Sequence, residues 1–326
     1  MSAQSGPAYI DRCGEQVFVP PFTANITDFY GFGVKADNKA LNENICDRYF
    51  NDPLGYSGQN RRFTALQYVF FVFNRIEKAC STDPNYKDRG VFTYKEAAIW
   101  MIIADHKTKR IRWFLPYVFV DSPYALHPGR EIYGFPKTMG TCGIPQGSEP
   151  PELLWIETGV VKKPGADGEV ARLLEIGLPP GCECFKTDHK QKEDFFQKLL
   201  YALEVEGPDY LTRFGLAEEF ATNAYKDLID GQLSLMFLKQ FRDGENPTRA
   251  SGLVVQEADS AITNFWGSRI YSLPSTRSQT QYEIAINDVF SHPIRRDLGL
   301  GTGQLNCKLA FWMSFGFRLG ACEIIS

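Results

Sequence analysis

The chain lacks an excess of positive charge, any apolar run long enough to cross a bilayer, and any cluster of cysteine or histidine at metal-ligand spacing. Lys and Arg number 35 against 39 Asp and Glu among 326 residues, a net charge of −4. A nucleic-acid partner therefore has no electrostatic support. The apolar run Leu309 to Phe317 is bounded by Lys308 and Arg318, far short of the roughly 20 residues that span a membrane. It reads as a buried element or an oligomer contact, and no membrane association is expected. Met1 to Pro7 shows no basic stretch followed by an apolar core, so no signal peptide is visible and a cytoplasmic location is expected. Eight cysteines lie without paired spacing, as suits reduced thiols. Cys182, Cys184 and His189 fall short of the four ligands of a structural zinc, so no metal is expected. Gly299-Leu300-Gly301-Thr302-Gly303 lacks the third glycine of a dinucleotide fingerprint and sits in no βαβ unit, so it reads as a loop and no cofactor is expected. His106, His127 and His292 each neighbour a turn or a proline and read as surface or capping residues.

What the chain has in quantity is apolar and aromatic residues: 44% hydrophobic and 14% aromatic, with 25 Phe and 15 Tyr. That is ample for a core, and the aromatic share favours pleated sheet. In Arg61 to Asn74, Phe63, Ala65, Val69, Phe71 and Phe73 alternate as on a strand. Gly90 to Asp105 is similar, with Ala97 to Ala104 nearly all apolar, as in a strand buried on both faces or a short buried helix. Arg112 to Asp121 is a third β-rich run, closed by Ser122-Pro123. Leu153 to Gly159 and Val170 to Leu178 read as a hairpin around a loop rich in turn residues. Between His189 and Gly231 the pattern turns helical, over Lys190 to Glu206 and Leu216 to Leu228, with Gly207-Pro208 as the break. Strand signals resume at Leu233 to Phe241 and Ala250 to Ala261, and Leu305 to Glu323 closes the chain. Strand-rich parts around a helical stretch predict an α+β fold with a mainly antiparallel sheet, as one domain over 1–326 carrying a helical insertion around 186–230.

One segment carries chemistry. Gly129-Arg130-Glu131-Ile132-Tyr133-Gly134-Phe135-Pro136-Lys137 sets an amine at the end of an aromatic, glycine-punctuated stretch, followed by the uncharged Thr138-Met139-Gly140. Desolvation favours the neutral form of an amine, and a neutral amine attacks ketones, so Lys137 is a candidate Schiff-base former. Composition alone equally allows a surface lysine after a turn. Glu96, in Phe92-Thr93-Tyr94-Lys95-Glu96-Ala97-Ala98-Ile99, is the best acid–base candidate, a carboxylate facing an apolar run. Its plainer reading is a strand-edge glutamate in solvent or one paired with Lys95.

The Gly129–Lys137 motif resembles the active-site segment of the acetoacetate decarboxylase family, where a Gly-Arg-Glu stretch leads through an aromatic and a proline to the catalytic lysine. Glu96 stands in a context similar to the family's catalytic glutamate. Tyr117 to Asp121 resembles the strand before the lysine. Leu235 to Phe241 with Ala250 to Ala261 resembles a closing hairpin, and His292-Pro293-Ile294-Arg295-Arg296 is similar to the family's C-terminal segment. The resemblance runs from about Asp28 onward. It leaves Lys186 to Asp230 and Asn264 to Thr280 as insertions. It implies a curved sheet or cone-shaped β-barrel with flanking helices, and a homo-oligomer.

By the same resemblance Lys137 and Glu96 are catalytic, Tyr133 and Phe135 form an apolar wall, and Arg130 either braces the segment with Glu131 or binds a substrate carboxylate. The chain also departs from the pattern. The family's second lysine is replaced by Thr138, so desolvation or a more distant cation must favour the neutral amine. The family's N-terminal arginine falls at Thr27 or Asp28, with Lys35, Arg61 and Arg62 the nearest basic residues. A second glutamate falls near Gln67 to Val69, where there is no acid. The implied activity is a carbon–carbon lyase acting on a small-molecule keto acid or ketone through a lysine iminium. Two alternatives stand beside it: an aldolase-dehydratase or cyclase using the same lysine on a pyruvate-type substrate, and a non-catalytic paralogue that binds a small acid.

Overall fold

The computed structural model describes residues 9–10, 18–56, 58–181, 186–205, 217–273, 281–307 and 309–325. These residues form a mainly stranded, mixed sheet with few helices. The first four strands are β1 (Phe22–Lys35), β2 (Phe63–Ser81), β3 (Phe92–Asp105) and β4 (Arg110–Val120). They run as an antiparallel meander, each paired with the next. β13 (Leu309–Ile324) pairs β1 on the far side, and β10 (Ala250–Ser272) pairs β13. β9 (Leu235–Arg242) pairs β10 and then touches β4 through the parallel pair Trp113–Leu235. The path β4–β3–β2–β1–β13–β10–β9 thus returns to β4 as a ring of strands.

From β4 the sheet also continues outward. β5 (Lys137–Gly143) lies parallel to β4, with Val118 opposite Lys137. β6 (Leu153–Val160) and β7 (Glu169–Gly177) form the expected hairpin, followed by β11 (Tyr282–Ile286) and β12 (Leu305–Cys307). The short β8 (Thr187–His189) pairs the end of β10. Among the described residues no helix is long and apolar enough to cross a membrane.

Two apolar cores lie on opposite faces of this sheet, and β3 shows why. Ala97, Ile99, Met101 and Ile103 enter one core, while Ala98, Trp100, Ile102 and Ala104 enter the other. A strand sends successive side chains to opposite faces, so burial on both sides demands the continuous apolar run seen in the sequence. That run is a strand, not a buried helix. The Leu309 to Phe317 stretch is likewise a buried element, the strand between β1 and β10.

β2 extends to Ser81, beyond the alternation that ends at Asn74. Arg75, Glu77 and Lys78 interrupt the apolar pattern, and the pairing with β3 shifts register between Ile76 and Ala79, where Lys78 takes φ 52°. This bulge lets polar residues sit within a strand. Asn264 to Ser272, expected to be part of an insertion, continues β10 against β13 from Asn264–Gly316 to Ser272–Ala310. The rest of that expected insertion, at 274–280, lies outside the described residues, as do Cys182 and Cys184.

The helices are short. α1 (Asn38–Leu41) runs on into a wider helical stretch, Asn42–Asn51, and Asp37 caps it by accepting from the Ala40 backbone N–H. α2 (Pro123–Pro128) opens the segment before Lys137, and α5 (Ile294–Asp297) holds Ile294 to Arg296 of the His292–Arg296 motif, with Pro293 at its N-cap. The helical part between β8 and β9 gives α3 (Lys192–Val205) and α4 (Ala217–Ile229). α4 lies across the β3–β4 turn. Arg110 forms a two-bond ion pair with Asp227 at 2.8 and 3.1 Å, and Asn223 donates to the Lys109 carbonyl.

Candidate active site

The motif residues build a clamped arch between β4 and β5. α2 starts on Pro123, which supplies no N–H where a helix start needs none. It widens into one further helical turn, Gly129–Tyr133, and stops at Gly134. Gly134 has φ 84°, and a Cβ there would lie 2.6 Å from the Lys239 Cα. The left-handed turn and the close approach to β9 both demand glycine. Gln256 on β10 donates to the carbonyls of Ile132 and Tyr133 at 2.8 and 2.9 Å. The Tyr133 hydroxyl donates to the Gly320 carbonyl, and the Phe135 ring packs edge-on against Phe237 at 4.7 Å. Within the arch the Phe135 N–H donates to the Gly129 carbonyl, and the Lys137 N–H to that of Phe135. Arg130 closes it by donating to the Lys137 carbonyl at 2.8 Å.

Lys137 is the first residue of β5, and its side chain runs back under the arch. Nζ lies 3.0 Å from Oε2 of Glu96, with the two side chains only 6% and 9% exposed. The register explains the meeting: Glu96 faces Val120 across β3–β4, and Lys137 sits beside Val118 on the other side of β4. Nζ also lies 5.1 Å from the Phe135 ring centre and 5.5 Å from that of Tyr94, within reach of a cation–π contact. Gly129 makes the room, because a Cβ there would fall 2.6 Å from Cδ and 2.8 Å from Cε of Lys137. Glycine is used here for space and not for conformation, since Gly129 has ordinary right-handed angles, φ −60° and ψ −44°.

Asn74, opposite Glu96 across β2–β3, is 2% exposed, and its Oδ1 has no hydrogen-bond partner among the described residues. Burial, and then the nearby Glu96, Asp121 and Tyr133, raise the Tyr94 phenol well above its ordinary range. Burial also raises the Tyr133 phenol. Both hydroxyls stay protonated at any physiological pH. They offer neutral walls and no further charge.

The pair opens into an elongated cavity of about 260 Å³ on the inner face of the strand ring. Its wall is almost wholly aromatic and aliphatic, drawn from β1, β2, β3, β4 and β13 and from helices α3 and α4. Lys137 and Glu96 are the only charged residues on the wall among those described. An isolated opposite-charge pair in such a setting is held by its mutual contact, because separating it leaves a buried charge uncompensated.

Of the residues singled out in the sequence, Lys137, Glu96, Tyr133 and Phe135 come together on this wall, and Arg130 does not. Arg130 is exposed, its guanidinium turned to the Lys137 backbone. Glu96 is neither solvent-facing nor paired with Lys95. Arg61 is held by Asp47 and Arg62 by Asp105, away from the cavity. Asp28 is buried with Arg75 and accepts from the Trp312 indole, also off the wall. Gln67, where no acid stands, does line the cavity, at its far end. His106 and His292, expected as surface or capping residues, are half-buried. His106 shares a hydrogen bond with the Thr64 hydroxyl, and burial lowers the pKa of both. His127 is exposed. No group of three metal-ligating side chains occurs among the described residues.

Sequence reasoning missed Tyr94, Asn74 and the lining function of the two helices. Tyr94 could have been found, since it stands two residues before Glu96 and a strand puts such residues on one face. Asn74 becomes visible only once β2 and β3 are in register.

No family model and no curated protein matches the chain. Solved structures do, at low identity. An acetoacetate decarboxylase from Legionella pneumophila aligns with TM-score 0.56 and 12% identity, over 100% of this chain and 93% of that one. The enduracididine biosynthesis enzyme MppR, complexed with pyruvate, aligns with TM-score 0.54 and 13% identity over 96% and 93%. An acetoacetate decarboxylase-like enzyme from Sphingomonas wittichii RW1 aligns with TM-score 0.53 and 12% identity over 98% and 99%. The chain has an acetoacetate decarboxylase-like fold and is divergent in sequence from these neighbours.

Proposed function

We propose that this chain is a Schiff-base-forming lyase that breaks or makes a carbon–carbon bond beside a carbonyl group, with Lys137 as nucleophile and Glu96 as proton carrier. The single observation that carries the reading is the Lys137–Glu96 pair, 3.0 Å apart and buried on the wall of a largely apolar cavity. The fold it shares with acetoacetate decarboxylases, and with an enzyme crystallised with pyruvate, supports it. The ring of strands is read as the cone-shaped barrel of that fold, in one domain that assembles as a homo-oligomer.

The chemistry follows from the geometry. A proton passes from Lys137 Nζ to a Glu96 carboxylate oxygen, leaving a neutral amine. Nζ attacks the substrate carbonyl carbon, a C–N bond forms, and the carbonyl π pair moves to oxygen, which takes the proton held by Glu96. Glu96 then accepts one of the two protons on the new ammonium nitrogen, which leaves the neutral carbinolamine. It returns that proton to the hydroxyl, which leaves as water and gives the iminium. The bond from the α-carbon to the departing group breaks with its electron pair flowing toward nitrogen, which yields an enamine. The enamine carbon takes up a proton or an aldehyde electrophile, and water hydrolyses the resulting iminium to free Lys137. One carboxylate in reach of Nζ and of both substrate atoms is enough for these transfers.

The test is reduction with borohydride in the presence of a panel of ketones and keto acids, followed by peptide mapping. Adducts on Lys137, absent from Lys137→Ala, are expected. Failure to trap any carbonyl on Lys137 would sink the covalent reading.

A second reading has its own observation. An amine neutralised by Glu96 in an apolar cavity also fits a protein that binds an apolar ligand without turnover. Tight binding by calorimetry with no borohydride adduct would favour it.

A further inference from the structure

We infer that the substrate is an extended apolar carbonyl compound, a ketone or aldehyde with a hydrocarbon or aromatic chain, and not a small keto acid. This rests on the Schiff-base reading above and adds the class of molecule. The cavity has one charged pair, Glu96 and Lys137, with Thr23, Asn74 and Gln67 as neutral polar groups elsewhere on its wall, and from Glu96 the wall follows the inner face of β3 through Trp100 and Ile102 to Ala104. Glu96 to Ala104 is eight residues, or roughly 26 Å at the strand rise of about 3.3 Å per residue. At the far end α3 and α4 close the space with Phe196, Leu199, Phe220, Ala224 and Leu228. Phe220, Ala224 and Leu228 are four apart, so one face of α4 is committed to the cavity.

Two features of this wall exclude a small keto acid as the best fit. First, a molecule of pyruvate size would occupy the Lys137 end only and leave the remaining apolar length without a purpose. A volume of about 260 Å³ spread along that length suits a chain and not a compact ligand. Second, a substrate carboxylate that survives the reaction needs a cation. The only cation on the described wall is Lys137, which the reaction converts into the iminium and which already faces Glu96. A carboxylate placed there would meet Glu96 instead. An apolar chain, by contrast, gains about fourfold in affinity for each methylene it buries.

The experiment compares borohydride trapping at Lys137 of the wild-type protein with butanone, heptan-2-one, decan-2-one, pyruvate and acetoacetate, at matched subsaturating concentration. Wild type should trap decan-2-one about four-thousandfold more efficiently than butanone, from six methylenes at about fourfold each. Trapping that is flat with chain length, or strongest with pyruvate or acetoacetate, would overturn the inference and leave the Schiff-base reading intact. If no carbonyl is trapped, the Schiff-base reading falls. Calorimetric binding of decan-2-one then decides the ligand class: preference over butanone upholds it and equal or absent binding overturns it.

Discussion

Replacing Gly129 with alanine separates the position of the amine from the stability of the fold. The added methyl carbon would stand 2.6 Å from Cδ and 2.8 Å from Cε of Lys137, and 3.3 Å from Nζ. Non-bonded carbons settle at about 3.5–4.0 Å, so the lysine side chain must retreat by roughly 1 Å. The 3.0 Å contact between Nζ and Glu96 does not survive such a shift, because hydrogen bonds of this type span about 2.7–3.2 Å. A misplacement of about 1 Å in a reacting group costs on the order of a hundredfold in rate. The fold itself loses little. Gly129 already has right-handed helical angles, so alanine adds no backbone strain. The overpacking cost of about 1–3 kcal/mol is partly offset by roughly 1 kcal/mol of better helix propensity. The assay is the rate of borohydride-trapped adduct on Lys137, measured beside urea unfolding. Gly159→Ala is the control, since a methyl there meets nothing within 4 Å. The expected result is a fall of about a hundredfold in trapping with a net stability loss of about 0–2 kcal/mol. Trapping at the wild-type rate, or a loss no larger than the unfolded fraction accounts for, would refute the reasoning.

Glu96→Gln leaves the Lys137 charge buried without its partner and should cost about 3–5 kcal/mol in urea unfolding. The double variant with Lys137→Met should recover part of that loss, and a single-variant cost under about 1 kcal/mol would mean that the pair is hydrated. Gly134→Ala forces a non-glycine residue to φ 84° against the Lys239 backbone, so Tm should fall by the equivalent of about 1–3 kcal/mol or more; an unchanged melt would contradict the arch. Burial holds the His106 and His292 pKa values below their ordinary range, with Lys109 adding to the effect on His106 and Asp105 opposing it. Their contribution to stability is therefore complete above the unfolded value of about 6.5 and is lost as pH falls below it toward the folded values; Tm should drop between pH 7.5 and pH 5.5, less steeply in a His106→Asn, His292→Asn double variant. Ile103→Ala, in the core face of β3, should cost about 2–5 kcal/mol, and Ile102→Ala, on the cavity face, clearly less; equal costs in the same unfolding assay would mean that the two faces are packed alike.

Much of the fold was legible because most strands obey one rule. Alternation in Arg61 to Asn74, continuous apolarity in Ala97 to Ala104, and turn residues between β6 and β7 each have one physical cause. The end of β2 escaped because Arg75, Glu77 and Lys78 sit in a bulge, where alternation no longer reports the face. The extension of β10 through Asn264 to Ser272 escaped because its polar residues are tolerated by pairing with β13, a partner distant in sequence. At the site, Lys137 and Glu96 were legible one by one from local pattern and resemblance. Their contact was not, since it depends on two registers, antiparallel across β3–β4 and parallel across β4–β5. The role of Gly129 was hidden for a similar reason. Nothing in Gly-Arg-Glu says that the lysine eight residues later folds back over the glycine.

The same alternation changes what Thr138 means. Read along the sequence, an uncharged residue after Lys137 looks like the loss of a neighbouring cation. In β5 it follows Lys137 by one residue, and consecutive strand residues face opposite ways. Lys137 lines the cavity; Thr138 and its register partner Phe119 do not, and Phe119 belongs to the core on the other face. A lysine at position 138 would therefore project away from the amine, through the sheet from the cavity. Its absence removes no cation from the wall. What surrounds the Lys137 amine is what shares its face: Glu96 at 3.0 Å, the Phe135 and Tyr94 rings, and a channel whose other described lining residues carry no charge. An apolar ligand filling that channel would displace water from around the pair, and Coulomb interactions strengthen as the surroundings lose polarity. A filled channel would therefore hold Lys137 and Glu96 together more tightly than a hydrated one.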